Sequence, residues 1–273
     1  MPRRNGGAVH CGVVSLQDVY DDEDAGLDQA SRLRTVQAAL LPDGRAGTGW
    51  SAAHVARAAA GVSGDLAQCA TAPDGRSLVV TVGDVMGKGV PAGLLAAHLL
   101  GALDALVRET PGVAVEGAEG AVRGRLERAS AFATLFHARL RLADGALEFV
   151  DAGHGFAAIA RTDGSTRRIP SADLPIGLQP RGFPRLPRHD ALGPGDVLLV
   201  ASDGILELPD ADFETLTALA RRLVDAPALD DTLRAFLDDV PAVVGDDLTV
   251  LAVRRDVDPA TAAATTDPDG ADR

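Results

Sequence analysis

The stretch "LVVTVGDVMGKGVPAG", residues 78–93, decides between two folds. Glycines around Lys88 after a β-forming run look like a phosphate-cradling loop, which would open a βαβ unit. That loop requires the spacing G-x-x-x-x-G-K-[ST]. Here Gly83 and Gly87 enclose only three residues, and Gly89 follows Lys88. The nucleotide reading fails on spacing and on the missing hydroxyl. What is left is an acid, Asp84, at the end of an apolar strand, with Gly87 and Gly89 letting the chain turn sharply into a helix.

Outward from this strand, β-patterned runs are expected at about 50–59, 77–83, 132–142, 146–152, 156–162, 197–202 and 248–255. Three connections carry Asp-Gly (Asp74-Gly75, Asp144-Gly145 and Asp163-Gly164), a hairpin signal because these residues tolerate positive φ. Helical patterns fall at about 90–108, 118–129, 213–224 and 229–239, and "LDQASRLRTVQAALLP" reads as an amphipathic helix over 27–41, stopped by Pro42. Hairpins in clusters and helices in separate blocks predict a layered α+β domain. Polar composition makes 1–25 a flexible leader and 256–273 a disordered tail, so the folded domain is expected over 26–255.

A 273-residue chain with 46% hydrophobic content can bury a sizeable core as one large domain. A net charge of −13 argues against nucleic acid, whose phosphates need Lys and Arg. Acidity suits either a solvated surface or a site loaded with cations. Cys11 and Cys69 form neither a disulfide framework nor a zinc-ligand pattern, and read as cytosolic thiols. No run approaches the ~18 apolar residues of a membrane span, and the basic start lacks a signal-peptide core. The expectation is a cytoplasmic protein without membrane association.

Acids stand where these strands end: Asp84 after "LVVTVG", Asp203 after "VLLVAS", and Asp246-Asp247 before "LTVLAV". Asp65, in "VSGDLAQC", lies between the first two expected strands. Singly, each is an ordinary Asx turn. Jointly, at the ends of adjacent strands, they form the all-oxygen environment that Mg²⁺ or Mn²⁺ takes, since clustered like charges cost energy unless a cation offsets them.

In order along the chain, "QAALLP", "VSGD", "VGDVMGKGVPAG", "FATLF", "FVDAGH", "LPIGL", "LGPGDVLLVASDGILE" and "GDDLTVL" resemble the bacterial metal-dependent Ser/Thr protein phosphatases of the PPM superfamily, in the SpoIIE/RsbU branch. The resemblance spans roughly residues 35–255. It implies a β-sandwich of two antiparallel sheets flanked by helices (αββα layers), with two Mn²⁺ or Mg²⁺ ions at one end. Asp84 would bridge the metals and the Val85 carbonyl would ligate one. Asp203 and Asp246 would complete the set, with Asp65 acting through water and Asp247 as a neighbour. The catalytic set is then Asp84, Asp203 and Asp246.

The implied reaction is hydrolysis of phosphoserine or phosphothreonine without a covalent enzyme intermediate. The substrate would be a phosphorylated anti-anti-sigma-type regulator in partner switching. Control would come from a regulatory protein, the leader or a homodimer. Where the eukaryotic branch has a histidine two residues after the bridging aspartate, this chain has Met86. His154 stays open between a direct catalytic role and positioning, and Lys88 between phosphate contact and a solvated helix start. The segment "ETPGVAVEGAEG" (109–120) reads as short for the branch, so a trimmed flanking helix is expected. A catalytically silent adaptor and a small-molecule phosphohydrolase remain alternatives.

Overall fold

In the computed structural model, residues 48–59, 61–208, 211–241 and 245–257 are described. The leader and the helix over 27–41 lie outside the described residues, as does the tail beyond Val257. Ten strands are described in chain order: β1 (Trp50–Arg57), β2 (Asp65–Thr71), β3 (Ser77–Val85), β4 (Ala133–Arg141), β5 (Ala146–Ala152), β6 (Ala157–Ala160), β7 (Thr166–Ile169), β8 (Arg188–Ala191), β9 (Val197–Ala201) and β10 (Leu248–Arg255). The described helices are α1 (Gly89–Ala105), α2 (Pro111–Ala129), α3 (Phe213–Val224) and α4 (Leu229–Asp239).

The strands form two five-stranded sheets, ordered β1-β10-β9-β6-β7 and β2-β3-β4-β5-β8. Every pairing within them is antiparallel. All three Asp-Gly pairs connect hairpins, β2–β3, β4–β5 and β6–β7.

Strand alternation sorts the apolar residues into three layers of core. Leu78, Val80, Val82, Phe136, Leu198, Val200, Leu251 and Val253 fill the space between the sheets. The opposite faces, Leu199, Val250 and Ala252 on one sheet, pack against Leu216, Leu219 and Leu223 of α3 and Leu233 and Phe236 of α4. On the other sheet, Leu66, Val85, Leu135 and Val150 meet Leu99 and Leu103 of α1 and Val115, Val122 and Leu126 of α2. The layers are therefore α, β, β, α, as expected.

Three strands were not legible in the sequence. β2 is small and half polar (DLAQCAT), while β7 (TRRI) and β8 (RHDA) are polar edge strands. Each becomes a strand through pairing with a well-patterned neighbour. Asp65 therefore opens a strand and does not lie between two. The helix expected at about 118–129 begins earlier: α2 runs 19 residues from Pro111, which takes the first helical turn after Thr110. Its glycines weaken intrinsic helicity, but the buried stripe Val115, Ala118, Val122 and Leu126 is held by the sheet beneath. Asp256 is also tied down, accepting from the Ser51 hydroxyl at 2.7 Å.

Candidate metal centre at one end of the sandwich

Strand parity carries the acids into one gap. Asp84 lies two residues beyond Val82 on the inter-sheet face of β3, and Asp65 lies two before Ala67 on β2. The register makes Asp65 and Asp84 direct cross-strand partners. From the facing sheet, Ser202 follows Val200 by two residues, while Thr249 and Asp247 precede Leu251 by two and four. The Ser202 hydroxyl accepts from the Thr249 amide (2.8 Å) and donates to the Asp247 carbonyl (3.2 Å), locking the end of β9 to the start of β10. Asp203 then opens a short 3₁₀ turn, Asp203–Glu207.

The electrostatics record how closely these carboxylates gather. Burial, followed by the charges of Asp203, Asp246 and Asp247, pushes the Asp84 carboxyl up to about 7. Burial likewise holds Asp65 well above the usual range, with Asp84 and Asp247 adding to it and the nearby hydroxyls of Thr249 and Ser202 opposing it without making well-aligned hydrogen bonds. Both Asp65 oxygens are buried without a hydrogen-bond partner among the described residues. Asp203 is raised by burial and then by Asp246. Unpaired, mutually repelling carboxylate oxygens suit hard divalent cations, so the donor chemistry fits Mg²⁺ or Mn²⁺. Among the described residues, however, no group of three or more His, Cys, Asp or Glu side chains is arranged to hold a metal ion.

The remaining candidates differ in surroundings. Both oxygens of Asp247 accept backbone N–H groups, from Ala59 at 2.7 Å and Gly64 at 2.9 Å, so this carboxylate braces the turn leading into β2. Asp246 is half-exposed and, among the described residues, accepts from the next amide at 3.0 Å. The Val85 amide donates to the Gly64 carbonyl at 3.1 Å. A Cβ on Gly64 would lie 2.7 Å from the Val85 carbonyl oxygen and 3.0 Å from Asp84 Oδ1. Glycine is thus required for that turn to close over the end of β3. Gly87 (φ 113°) and Gly89 (φ 70°) make the sharp exit into α1. Lys88 Nζ donates to the Gly245 carbonyl, tying the loop after Asp84 to the loop before Asp246.

His154 is buried beside this end. Its Nδ1 lies 3.2 Å from the hydroxyl of Thr134, the cross-strand partner of Asp84. Its amide and that of Gly155 donate to the buried Asp151 carboxylate, at 2.8 and 3.0 Å. Burial lowers the imidazole to about 4, leaving it neutral near pH 7. Asp151, Thr134, Ser202 and Thr249 escaped the sequence reading. Asp151, in "DAGHG", had an Asx-turn signal, whereas the others are single hydroxyls without one.

Two antiparallel sheets between helix pairs, with acids meeting at one open end, define a phosphatase fold of the PP2C (PPM) type. Within that class the chain belongs to the stage II sporulation protein E (SpoIIE) family, whose sequence model matches residues 74–256. The RsbU and RsbW domains of Rv1364c from Mycobacterium tuberculosis share the fold at 28% identity and TM-score 0.64, over 76% of this chain and 60% of that one. This chain thus spans about three-fifths of that structure. The PP2C domain of SiaA from Pseudomonas aeruginosa aligns at 20% identity and TM-score 0.69, over 88% of this chain and 98% of that one. The catalytic domain of the serine/threonine phosphatase PstP, solved with two manganese ions, aligns at 17% identity and TM-score 0.56, over 75% and 98%. Among the described residues no helix is long and apolar enough to cross a membrane.

Proposed function

We propose that the protein is a cytoplasmic, metal-dependent phosphoserine/phosphothreonine protein phosphatase. Its substrate is a phosphorylated regulator of the anti-anti-sigma type. The observation that carries this reading is the convergence of Asp65, Asp84, Asp203 and Asp246 at one end of a PP2C-type sandwich, with Asp84 driven to about 7 and Asp65 held well above the usual range by burial. Membership of the SpoIIE family and likeness to the RsbU and RsbW domains support the substrate class.

Asp84, Asp203 and Asp246 would hold two Mn²⁺ or Mg²⁺ ions with the Val85 carbonyl, Asp65 lying behind them and Asp247 bracing the turn. Bound there, the ions would supply charge neutralisation of the phosphoryl oxygens and acidification of water. The chain's own residues keep the site open at the end of the sandwich and hold the carboxylates ready. Among the described residues, Met86 cannot protonate the leaving oxygen, Lys88 is engaged with Gly245, and His154 is neutral and buried. That proton would come from water or from another residue.

The test is hydrolysis of a phosphoserine protein or p-nitrophenyl phosphate with and without added Mn²⁺. Activity that needs Mn²⁺ or Mg²⁺ and disappears with chelator supports the reading. Full activity after exhaustive chelation sinks it, and no activity with any cation leaves the adaptor alternative.

A further inference from the structure

Gly245 is the point at which three acid-bearing segments touch. It directly precedes Asp246 in the chain. From the loop between β3 and α1, Lys88, four residues beyond Asp84, donates from Nζ to the Gly245 carbonyl. From the 3₁₀ turn that Asp203 opens, Glu207 presses on the same residue: a Cβ on Gly245 would lie 2.5 Å from Glu207 Oε2. The carbonyl that Lys88 holds belongs to the peptide plane that includes the Asp246 nitrogen, so the ammonium grips the backbone of that acid. The Asp246 carboxylate itself accepts from the Asp247 amide at 3.0 Å.

The segments tied by Lys88 belong to different sheets, β3 to one and β10 to the other. Asp84 and Asp246 therefore keep their spacing only as well as the two sheets keep theirs at this end. On the buried side the Asp247 carboxylate fixes it, accepting from the Gly64 amide at 2.9 Å, while the Gly64 carbonyl accepts from the Val85 amide at 3.1 Å. On the exposed side the tie is Lys88 to Gly245. Asp246 thus stands between two pinned neighbours. Charge alone gives Lys88 the opposite effect, because an ammonium beside the acids repels the divalent cations they would hold. Tie and charge pull cation affinity in opposite directions, and the sign of a substitution separates them.

We propose that Lys88 is a positioning residue: by holding Gly245 it sets the separation of Asp84 and Asp246 at which divalent cations bind. The proposal rests on the phosphatase reading and deepens it by naming the residue that holds the acid-bearing loops of the two sheets together.

The experiment titrates Mn²⁺ into the metal-free full chain by calorimetry, for the parent, Lys88→Met and Lys88→Arg, and measures p-nitrophenyl phosphate hydrolysis at saturating Mn²⁺. Methionine keeps much of the stem without a donor, and arginine keeps a charged donor. Lys88→Met should bind Mn²⁺ about tenfold more weakly, the scale of one hydrogen bond from a charged group. Its KM at saturating Mn²⁺ and its metal-free Tm should match the parent's, since the side chain is exposed. Lys88→Arg should bind Mn²⁺ as the parent does. Equal or tighter binding in Lys88→Met, the result that charge alone gives, overturns the proposal. A raised KM with Mn²⁺ affinity intact also overturns it, because it marks a lysine that touches the substrate phosphate. So does a weakening that Lys88→Arg shares, or one that comes with a lowered metal-free Tm, as a merely structural contact would give. If the parent binds Mn²⁺ but hydrolyses nothing, the phosphatase reading has failed, and the calorimetric comparison still decides this one. A parent that binds no Mn²⁺ overturns it.

Discussion

Asp65 and Asp84 are cross-strand partners on β2 and β3, and both project into the gap between the two sheets. Like charges directly opposite each other destabilise an antiparallel pair, and here both carboxyls are pushed above their ordinary range, by burial first and by neighbouring acids next. An apolar pair would extend the core that Val82 and Ala67 already form. Retaining two acids there trades stability for a cation-ready site, which gives the following expectations their sign.

For Asp84 the sign can be read against pH. An acid raised from 3.8 to about 7 on folding contributes stability that is fully present below about 3.8 and is lost as pH rises through about 7. Buried His137 and His154, both lowered to about 4, act oppositely, losing stability as pH falls from 6.5 through about 4. Comparing variant with parent cancels those histidines. Metal-free Asp84→Asn should match the parent near pH 4 and melt several degrees higher at pH 8. A difference in Tm that does not change with pH would contradict the assignment.

Asp203→Asn should abolish phosphatase activity while the metal-free protein melts at the parent's temperature or above, since one repelling charge is gone. Mn²⁺ should raise the parent's Tm by mass action and the variant's far less. Thermal scans with and without Mn²⁺ check this; a lowered metal-free Tm with an intact Mn²⁺ shift is what a simple turn aspartate would give.

Asp246 and Asp247 should part company. Asp247→Asn places an amide against the backbone N–H groups of Ala59 or Gly64, costing about 1–3 kcal/mol of stability. Asp246→Asn should cost little stability but blunt the Mn²⁺ response. Urea unfolding of the two metal-free variants, alongside Mn²⁺ titration, distinguishes them, and equal behaviour would refute the division of roles.

Glu119 on α2 is the anchor of the 174–185 loop. Its carboxylate accepts from Arg185 Nε (2.9 Å), Arg123 (2.6 Å) and the Gly177 amide (2.9 Å), and Arg185 is buried beneath it. Glu119→Ala leaves the buried Arg185 charge with the carbonyls of Leu174 and Pro175 and a more distant Asp173 carboxylate at 4.0 Å, so a loss of about 3 kcal/mol is expected in chemical denaturation. A loss under ~1 kcal/mol, the scale of a surface pair, would show that the loop is held by other contacts.

Much of the fold was legible because its strongest elements carry their own periodicity. β5, β10, α3 and α4 fall where alternation and amphipathic spacing put them, and the Asp-Gly pairs announce three hairpins. The acids Asp84, Asp203, Asp246 and Asp247 were visible for a related reason, since an acid ending an apolar run stands out locally. What tertiary structure alone decided depends on neighbours distant in sequence. β2, β7 and β8 owe their strand character to the partners they pair with, and the first two turns of α2 are held by the Arg185–Pro187 segment, α1 and the sheet. That Asp65 faces Asp84, that Asp247 braces the turn at Gly64, and that Lys88 reaches Gly245 are matters of register and packing. Residues up to 188 positions apart meet in these contacts, and local composition carries no record of such meetings, because their energy exists only once both sheets are in place.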